Sequence, residues 1–390
     1  MSTTRQFHLL TLHCAGAQAA TSLAGGFVGA YLMKIGLGLS VALCVYAAIL
    51  AARFALRLAV LPLVRRIGLR RALLLGIAVN ALQFGPLALA EDPRWLAAWI
   101  GIVALSESLY WPILHAASAV TAAGETRGRQ IAARQAATGS IAVVAPLLGG
   151  AILTQFGPAA DFGLAAAILL LSAVPVVRMR AIEAGPVPAM RASFRDVDRR
   201  GMAVFAADGW MASGLALAWP MVLFTTLGSH YEAFAWSGSL AALAGVVAGL
   251  ACGAAIDRGR RGTYLVMVAG ALAAVFALRT GLSWLPAAAH LANAAGAAAN
   301  GLYVPVIMSA IYERAKRSGA AYRFHLGAET GWDLGAIGGC LAGAAMASLT
   351  AAPSLAILPA SLGIVAMVAC VRDRPARGEG LALPDEVLAA

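Results

Sequence analysis

The chain has 390 residues, of which 61% are hydrophobic and only 12% are charged, and its formal net charge is +11. A soluble globular protein has about 25% charged residues, so this composition excludes one soluble core and indicates that lipid surrounds most of the chain. All but two of the 29 basic residues are arginines, mostly in short clusters between apolar runs. Such clusters are typical of cytoplasmic loops in membrane proteins and disfavour a nucleic-acid partner.

Twelve apolar stretches have the length of about 20 residues that a membrane-crossing helix needs. We number them spans 1 to 12 and place them at 8–33, 39–63, 72–90, 95–121, 130–155, 160–179, 201–228, 233–256, 263–282, 284–311, 323–349 and 352–371. The first is too long for the apolar region of a signal peptide, which has about 7–15 residues, so we expect it to be retained.

The connections between these spans alternate in charge. Every second connection is basic, from VRRIGLRR at 64–71 to the tail after span 12, and a wrong span count would break this alternation. The positive-inside rule therefore predicts a multi-pass protein of a bacterial-type inner membrane with both termini in the cytoplasm. The predicted organisation is a six-span half at 1–179, a cytoplasmic linker at 180–200, a second six-span half at 201–372 and a cytoplasmic tail at 373–390.

Two pairs of similar segments indicate that one half is a duplicate of the other. LYWPIL at 109–114 lies in span 4, and LYVPVI at 302–307 lies at the equivalent place in span 10. LPLVRRIGLRR at 61–71 and GAAIDRGRRG at 253–262 follow spans 2 and 8 at nearly the same offset. Duplicated halves that meet at a central site are typical of secondary transporters.

The segment GAAIDRGRR resembles the loop motif of the major facilitator superfamily, in which Gly-x-x-x-Asp-Arg precedes Gly-Arg-Arg. The matching residues are Gly253, Asp257, Arg258, Arg260 and Arg261. The N-terminal copy departs from the motif, with Leu61 for the glycine and Arg65 for the aspartate. GETRGR at 124–129 is also similar to a family loop, and APLLGG at 145–150 is similar to a motif of its antiporters. The resemblance implies an all-α membrane protein of twelve transmembrane helices in two pseudo-twofold-related six-helix bundles.

Four charged residues inside spans 2 and 11 form the first set of candidate functional residues. Ionisable groups in a membrane are costly and mostly functional. Arg53 and Arg57 share one face of span 2 at i,i+4 spacing, and Glu329 and Asp333 do the same in span 11. A rise of about 1.5 Å per residue places the two pairs at matching depths.

In the facilitator fold, spans 2 and 11 meet across the two halves on the cytoplasmic side. We therefore predict gating ion pairs between Arg53 and Asp333 and between Arg57 and Glu329, closed when the cavity opens outward and separated when it opens inward. The alternatives are arginines that snorkel to the cytoplasmic surface, pairing of Arg53 with Glu107 inside one half, and direct substrate binding.

Two further carboxylates are candidates for proton coupling. Glu107 lies near the middle of span 4, where desolvation disfavours its charged form, so it is the leading candidate; a structural hydrogen bond between helices is the alternative. Asp208 lies about two turns into span 7 and is the second candidate, unless it caps or contacts the central loop.

Candidates for the wall of the substrate cavity come from the spans that surround it in the facilitator fold. Tyr110 and Tyr303 are the repeat-related aromatics, with packing inside each half as the alternative role. Trp111, Asn300 and Trp332 are further candidates.

The predicted function is secondary active transport of a small organic solute by alternating access, driven by a proton gradient. The spans contain acids, and the sequence has no GxxxxGK[ST] nucleotide motif. The partial antiporter motif slightly favours efflux; a small-metabolite importer, a lipid flippase and a non-transporting sensor on the same scaffold are alternatives.

A membrane enzyme would need a catalytic constellation at one membrane face, and the sequence has none, so we assign no catalytic residue. No cysteine belongs to a CxxC or Cys/His cluster, so we expect no metal or other cofactor. The expected partners are a small-molecule substrate, protons and membrane lipids, without nucleic acid, and the protein is expected to be a monomer.

Overall fold

The computed structural model describes residues 3–121, 127–189, 197–256, 261–282 and 284–372, and its regular structure in these ranges is helical, without strands. In the described part, nine helical stretches, in spans 2 to 8, 11 and 12, are long and apolar enough to cross a membrane. Val266–Leu282 in span 9 is a further apolar helical stretch, and spans 1 and 10 are helical as well. The predicted all-α membrane fold is confirmed.

Spans 1 to 6 coincide with helices, several of which are interrupted. Their bounds are Thr3–Leu23, Gly25–Phe27 and Val28–Lys34 in span 1, Leu39–Ala59 in span 2, Leu69–Leu82 and Phe84–Ala88 in span 3, Pro93–Thr121 in span 4, Arg127–Gln155 in span 5, and Pro158–Leu171 and Ala173–Val177 in span 6. A further short helix, Leu61–Ile67, occupies part of the first basic connection.

Spans 7 to 12 also coincide with helices. Their bounds are Arg199–Ala212, Ser213–Ala218 and Trp219–Thr226 in span 7, Tyr231–Ile256 in span 8, Arg261–Leu282 in span 9, Pro286–Arg317 in span 10, Ala321–Leu349 in span 11, and Pro353–Ser361 and Leu362–Arg372 in span 12. The middle segment of span 7 is a π-helix, a form that is often found at functional sites.

Small residues bring the backbones of spans 7 and 11 into direct contact. A Cβ atom added at Gly209 would overlap the carbonyl oxygen of Trp332, and one added at Gly335 would overlap that of Ala206. Small residues allow this close approach of helices in lipid. The contact fixes the position of Asp208, next to Gly209 in span 7, relative to Trp332 in span 11.

The two halves contact each other at both ends of the molecule. We call the end that the basic connections occupy the basic end, and the other the distal end. At the distal end, the Ser40 hydroxyl donates to the carbonyl oxygen of Ala344 at 2.9 Å and lies 2.8 Å from the Ser348 hydroxyl. The Phe27 ring packs edge-on against Tyr231 there. Nearer the basic end, spans 2 and 11 meet again through charged side chains.

Parts of the predicted loops and domains fall outside the described residues. Asp257, Arg258 and Arg260 of the loop motif lie there, while Gly253 and Arg261 belong to the helices on either side. The same is true of 124–126 in GETRGR, of 190–196 in the predicted linker, and of the predicted tail at 373–390. The roles of the loop motif and the predicted domain boundaries stay predictions.

Candidate functional site

A cavity of about 720 Å³ lies between the two halves in the middle of the molecule. Its wall is mostly apolar and carries a small number of charged, amide and hydroxyl side chains, as is usual for sites that bind small molecules. The wall includes seven of the residues that the sequence predicts to be functional: Arg53, Glu107, Tyr110, Trp111, Asp208, Glu329 and Trp332.

Arg53 connects acids of both halves across the floor of this cavity. Its Nη1 atom donates to Glu107 Oε2 at 2.7 Å, a contact inside the first half. Its Nε atom donates to Asp333 Oδ1 at 2.6 Å, a contact between the halves. The Trp332 ring centroid lies 4.9 Å from the Arg53 guanidinium and adds a cation–π contact.

Arg57, one turn closer to the basic end, also bonds to Asp333. Its Nη2 atom donates to Asp333 Oδ2 at 2.5 Å, while its Nη1 atom lies 3.8 Å from Glu329 Oε2. The Arg57 side chain is only 1% exposed and that of Asp333 is fully buried. Neither arginine snorkels to the surface of the molecule, because both guanidinium groups turn inward to the carboxylates.

We call Arg53, Arg57, Glu107, Glu329 and Asp333 the charge cluster. The sequence predicts two separate ion pairs, whereas the structure shows one connected group. The reason is that the short Asp333 side chain lies between the two arginines and offers one oxygen to each. The cluster contains two cations and three acids, so its formal charge is negative when every member is ionised.

Asp208 faces the cavity from span 7 of the second half. Its Oδ1 atom accepts a hydrogen bond from the Tyr303 hydroxyl at 2.7 Å, and its Oδ2 atom accepts one from Trp332 Nε1 at 3.0 Å. Within the described ranges, no cation lies at ion-pair distance from this carboxylate. The cap of span 7 is instead Asp198, whose side chain accepts from the Gly201 amide at 2.7 Å.

The sequence and the fold both match a known family. Residues 10–196 match the Major Facilitator Superfamily. This part of the chain belongs to the major facilitator superfamily. Its structure resembles the E. coli fucose:proton symporter FucP, with a TM-score of 0.69 at 13% identity over 96% of this chain and 100% of that one. No curated protein matches the chain in sequence.

Two other solved transporters share the facilitator fold. The human organic anion transporter MFSD10 gives a TM-score of 0.65 at 14% identity over 95% of this chain and all of the other. The nucleoside transporter NupG gives 0.66 at 12% identity over 94% and 98%. At such identities, the likeness establishes the fold alone. The family is one of transporters and not of enzymes, as the sequence predicted.

Two predicted wall residues of this facilitator lie elsewhere. Tyr303 bonds to Asp208 inside the second half and is not among the described residues that line the cavity, so its role in clasping substrate stays a prediction. Asn300 is exposed and also lies outside the wall. Span 10 lines the cavity with Val304, Met308 and Tyr312, and Asn300 is about 80° around the helix from Met308.

The repeat-related tyrosines make equivalent contacts in the two halves of the facilitator. The Tyr110 hydroxyl of span 4 lies 3.0 Å from His13 Nε2 of span 1. The Tyr303 hydroxyl of span 10 bonds to Asp208 of span 7. Spans 1 and 4 correspond to spans 7 and 10 in the duplicated halves, so both phenols bind a polar partner inside their own half. Both hydroxyl groups therefore make contacts that fit the alternative role, which is packing inside each half.

A group of aromatic and histidine side chains in the cavity wall surrounds the predicted wall residue Trp111, and its contacts between the halves were not predicted from the sequence. His115 Nδ1 lies 2.8 Å from the Tyr312 hydroxyl across the halves, and its Nε2 atom lies 3.5 Å from Glu329 Oε1. Its ring stacks on Trp111 and on His325. The available signal was the i,i+4 spacing of Trp111 and His115, but nothing in the sequence indicates partners in spans 10 and 11.

Two arginines outside the charge cluster, which lie near span ends in the sequence, were not predicted to be functional. Arg134 lines the cavity from span 5, and its Nη1 atom donates to the Ser118 hydroxyl at 3.0 Å. Arg279 in span 9 lies away from the cavity, where its guanidinium packs 4.4 Å from the Trp219 ring and donates to the carbonyl of Leu215 at 3.3 Å. Because both lie near an end of an apolar run, the sequence did not distinguish them from arginines that reach the membrane surface.

Proposed function

We propose that this facilitator is a secondary active transporter that moves a small organic solute by alternating access, coupled to protons, with export favoured over import. The observation that carries the proposal is the charge cluster, which joins the two halves on the basic side of the cavity. A neighbour of the same fold is named a fucose:proton symporter, which supports coupling to protons on this scaffold. The partial antiporter motif at 145–150 supports export.

The charge cluster has the properties of a gate. Its contacts through Asp333 join span 2 of one half to span 11 of the other, and they are buried. A buried ion pair gains Coulomb energy but loses hydration, so its net free energy is small enough for the pair to break and re-form. We infer that the cluster holds the basic side closed and separates when the halves rock apart.

The excess carboxylate in the charge cluster provides a place for the coupled proton. With two guanidinium groups and three acids, one bound proton makes the cluster neutral. Glu107 is the acid that is best placed to exchange this proton with the cavity, since its side chain is 28% exposed and those of Glu329 and Asp333 are 6% and 0% exposed. We therefore assign the proton to Glu107.

The proposed orientation follows the basic connections. We infer that the basic end is cytoplasmic, that both termini lie there, and that the protein is a monomer in an inner membrane. The cavity would then open to the cytoplasm when the charge cluster separates, and to the other side when the contacts of Ser40 with span 11 separate.

Proteoliposomes that contain a pH-sensitive dye test this proposal. A panel of small organic solutes is added one at a time, and we expect at least one solute to move protons through the wild-type protein. Glu107→Gln should abolish the solute-driven proton movement but retain solute exchange, which needs no net proton transfer. The control is Glu313→Gln, which removes a surface ion pair with Arg317 far from the cavity.

Two results would contradict the proposal. Proton coupling is wrong if no solute of the panel moves protons while some of them are exchanged. The assignment to Glu107 is wrong if the Glu107→Gln protein still moves protons with solute at the wild-type rate. The direction of net solute movement under an imposed pH gradient distinguishes export from import.

A further inference from the structure

Two charged side chains in the cavity wall have no counter-charge among the residues that the structure describes, and they lie on opposite halves. Asp208 belongs to span 7 of the second half, and Arg134 belongs to span 5 of the first half. Neither belongs to the charge cluster. The two cations and three acids of that cluster become neutral together when they bind one proton. Unpaired charge inside a membrane protein is costly, and its presence in a cavity points to a ligand that pairs with it.

The hydrogen bonds of Asp208 position its carboxylate without cancelling its charge. Both donors, the Tyr303 hydroxyl and the Trp332 indole, are neutral groups. Each carboxylate oxygen can accept more than one hydrogen bond, so room remains for a charged donor from the cavity. The close backbone contact of spans 7 and 11 at Gly209 keeps this carboxylate in place beside the Trp332 ring.

Arg134 is surrounded by neutral polar groups. Its Nη1 atom donates to the Ser118 hydroxyl, and the cavity wall around it includes Cys14, Tyr110 and Tyr312. In the part of the chain that the structure describes, no carboxylate comes within 4.0 Å of its guanidinium. A guanidinium with several N–H donors in a fixed plane is well suited to bind a carboxylate through two parallel hydrogen bonds.

We propose that the solute is a zwitterion with an ammonium group bound by Asp208 and a carboxylate bound by Arg134. This inference rests on the proposed transport function and adds the substrate class. The apolar rings of Trp111 and Trp332 in the same wall favour a solute with an apolar side chain, such as an apolar amino acid or a short peptide. Because the two charges belong to different halves, the bound zwitterion connects the halves across the cavity.

The charges of the whole site then balance. A proton neutralises the charge cluster, the ammonium group pairs with Asp208, and the carboxylate pairs with Arg134. A solute with only a positive charge would leave Arg134 unpaired, and a solute with only a negative charge would leave Asp208 unpaired. Either case leaves a buried charge without a partner, so the site should discriminate against both kinds of solute.

Ligand binding to the purified full-length protein tests the inference without any transport step. The probes are phenylalanine and alanyl-phenylalanine, each compared with its C-terminal amide, a cation, and its N-acetyl form, an anion. Binding is measured from the rise in melting temperature over a series of concentrations. We expect at least one zwitterion to bind about 10- to 150-fold more tightly than both of its singly charged analogues, as is usual for hydrogen bonds to charged groups.

Two variants should shift this preference in opposite ways. In Arg134→Gln, the zwitterion should lose its advantage over the amide and keep it over the N-acetyl form. In Asp208→Asn, it should lose its advantage over the N-acetyl form and keep it over the amide. Arg317→Gln, at an exposed position, is the matched control and should change neither preference.

The inference is overturned if neither zwitterion raises the melting temperature, or if an amide or N-acetyl analogue binds as tightly as its zwitterion. If a variant does not fold, the comparison of analogues on the wild-type protein still decides. Zwitterion binding without solute-driven proton movement would support this inference and contradict the proposed coupling. Proton movement driven only by singly charged or uncharged solutes would support the coupling and overturn this inference.

Discussion

Asp333→Asn should open the basic side of the cavity. The Asp333 carboxylate is fully buried and takes one guanidinium on each oxygen, from Arg53 and from Arg57 of the other half. At an effective dielectric constant of about 20, each contact contributes about 4 kcal/mol of Coulomb energy, of which desolvation offsets a large part. Removing one partner of a buried pair costs about 3–5 kcal/mol net.

This free energy acts on the equilibrium between closed and open forms, since the contacts that are lost join the two halves. A change of about 3–5 kcal/mol corresponds to a factor of about 10²–10³ or more in the population of the closed form. Cys14 reports on this population because it lies in the cavity wall. With the other four cysteines replaced by alanine, we expect a membrane-impermeant maleimide on the basic side to label Cys14 much faster in Asp333→Asn.

Glu107→Gln is the matched control for this experiment. Its carboxylate also accepts a hydrogen bond from Arg53, at 2.7 Å, but spans 2 and 4 belong to the same half. Its loss should therefore leave the labelling rate from the basic side near that of the wild type. The gating argument would be refuted by equal labelling rates in Asp333→Asn and wild type, or by equal acceleration in both variants.

Three further predictions follow from other contacts. The double variant Arg53→Asp with Asp333→Arg should not restore slow Cys14 labelling. The introduced carboxylate would face Glu107, and the introduced guanidinium would face Arg57. Full restoration would show that the cluster consists of two independent pairs. Gly335→Ala should lower the free energy of unfolding by about 1–3 kcal/mol, because its methyl group would overlap the carbonyl oxygen of Ala206 in span 7. The measurement is the melting temperature in detergent, and an unchanged value would contradict that contact. Asp198→Ala should cost about 0.5–2 kcal/mol through loss of the cap of span 7, in addition to the loss of its ion pair with Arg314. Asp198→Asn should recover the cap but not the ion pair in the same assay.

The sequence indicated the fold, and its family resemblance implied that spans 2 and 11 meet, but neither indicated the partners within the charge cluster. Hydropathy, basic connections and the repeat define the fold. The i,i+4 charges on two helices show which faces are polar. Span ends can be placed from sequence only to within a few residues, which is about one helical turn, or about 5.4 Å along the helix axis. A shift of that size decides whether Arg57 bonds to Glu329 or to Asp333.

The residues of the cavity wall were harder to predict. In an apolar helix, the sequence does not indicate which side faces the cavity. Span 10 is rich in alanine on every side, so its sequence does not show that Val304 faces the cavity and Asn300 does not. The π-helix at 213–218 adds a local change of register in span 7, which again no pattern indicates. The repeat identified Tyr110 and Tyr303 as equivalent, but their partners His13 and Asp208 differ in type.

Arg279 shows why burial of a charge in a membrane protein is not by itself a sign of a binding site. Its guanidinium is buried and, within the described ranges, lies near no acid, yet it packs on an indole ring and donates to a carbonyl oxygen of the π-helix, away from the cavity. A π-helix leaves backbone groups with irregular hydrogen bonding, and this arginine stabilises one of them. The indole ring and the carbonyl oxygen therefore take the place of a counter-ion for this guanidinium. Asp208 and Arg134 differ from it in one respect that matters for function, because both face a cavity that a solute can enter. Access to that cavity, together with the absence of a counter-charge among the described residues, distinguishes a binding site from a structural contact in this protein.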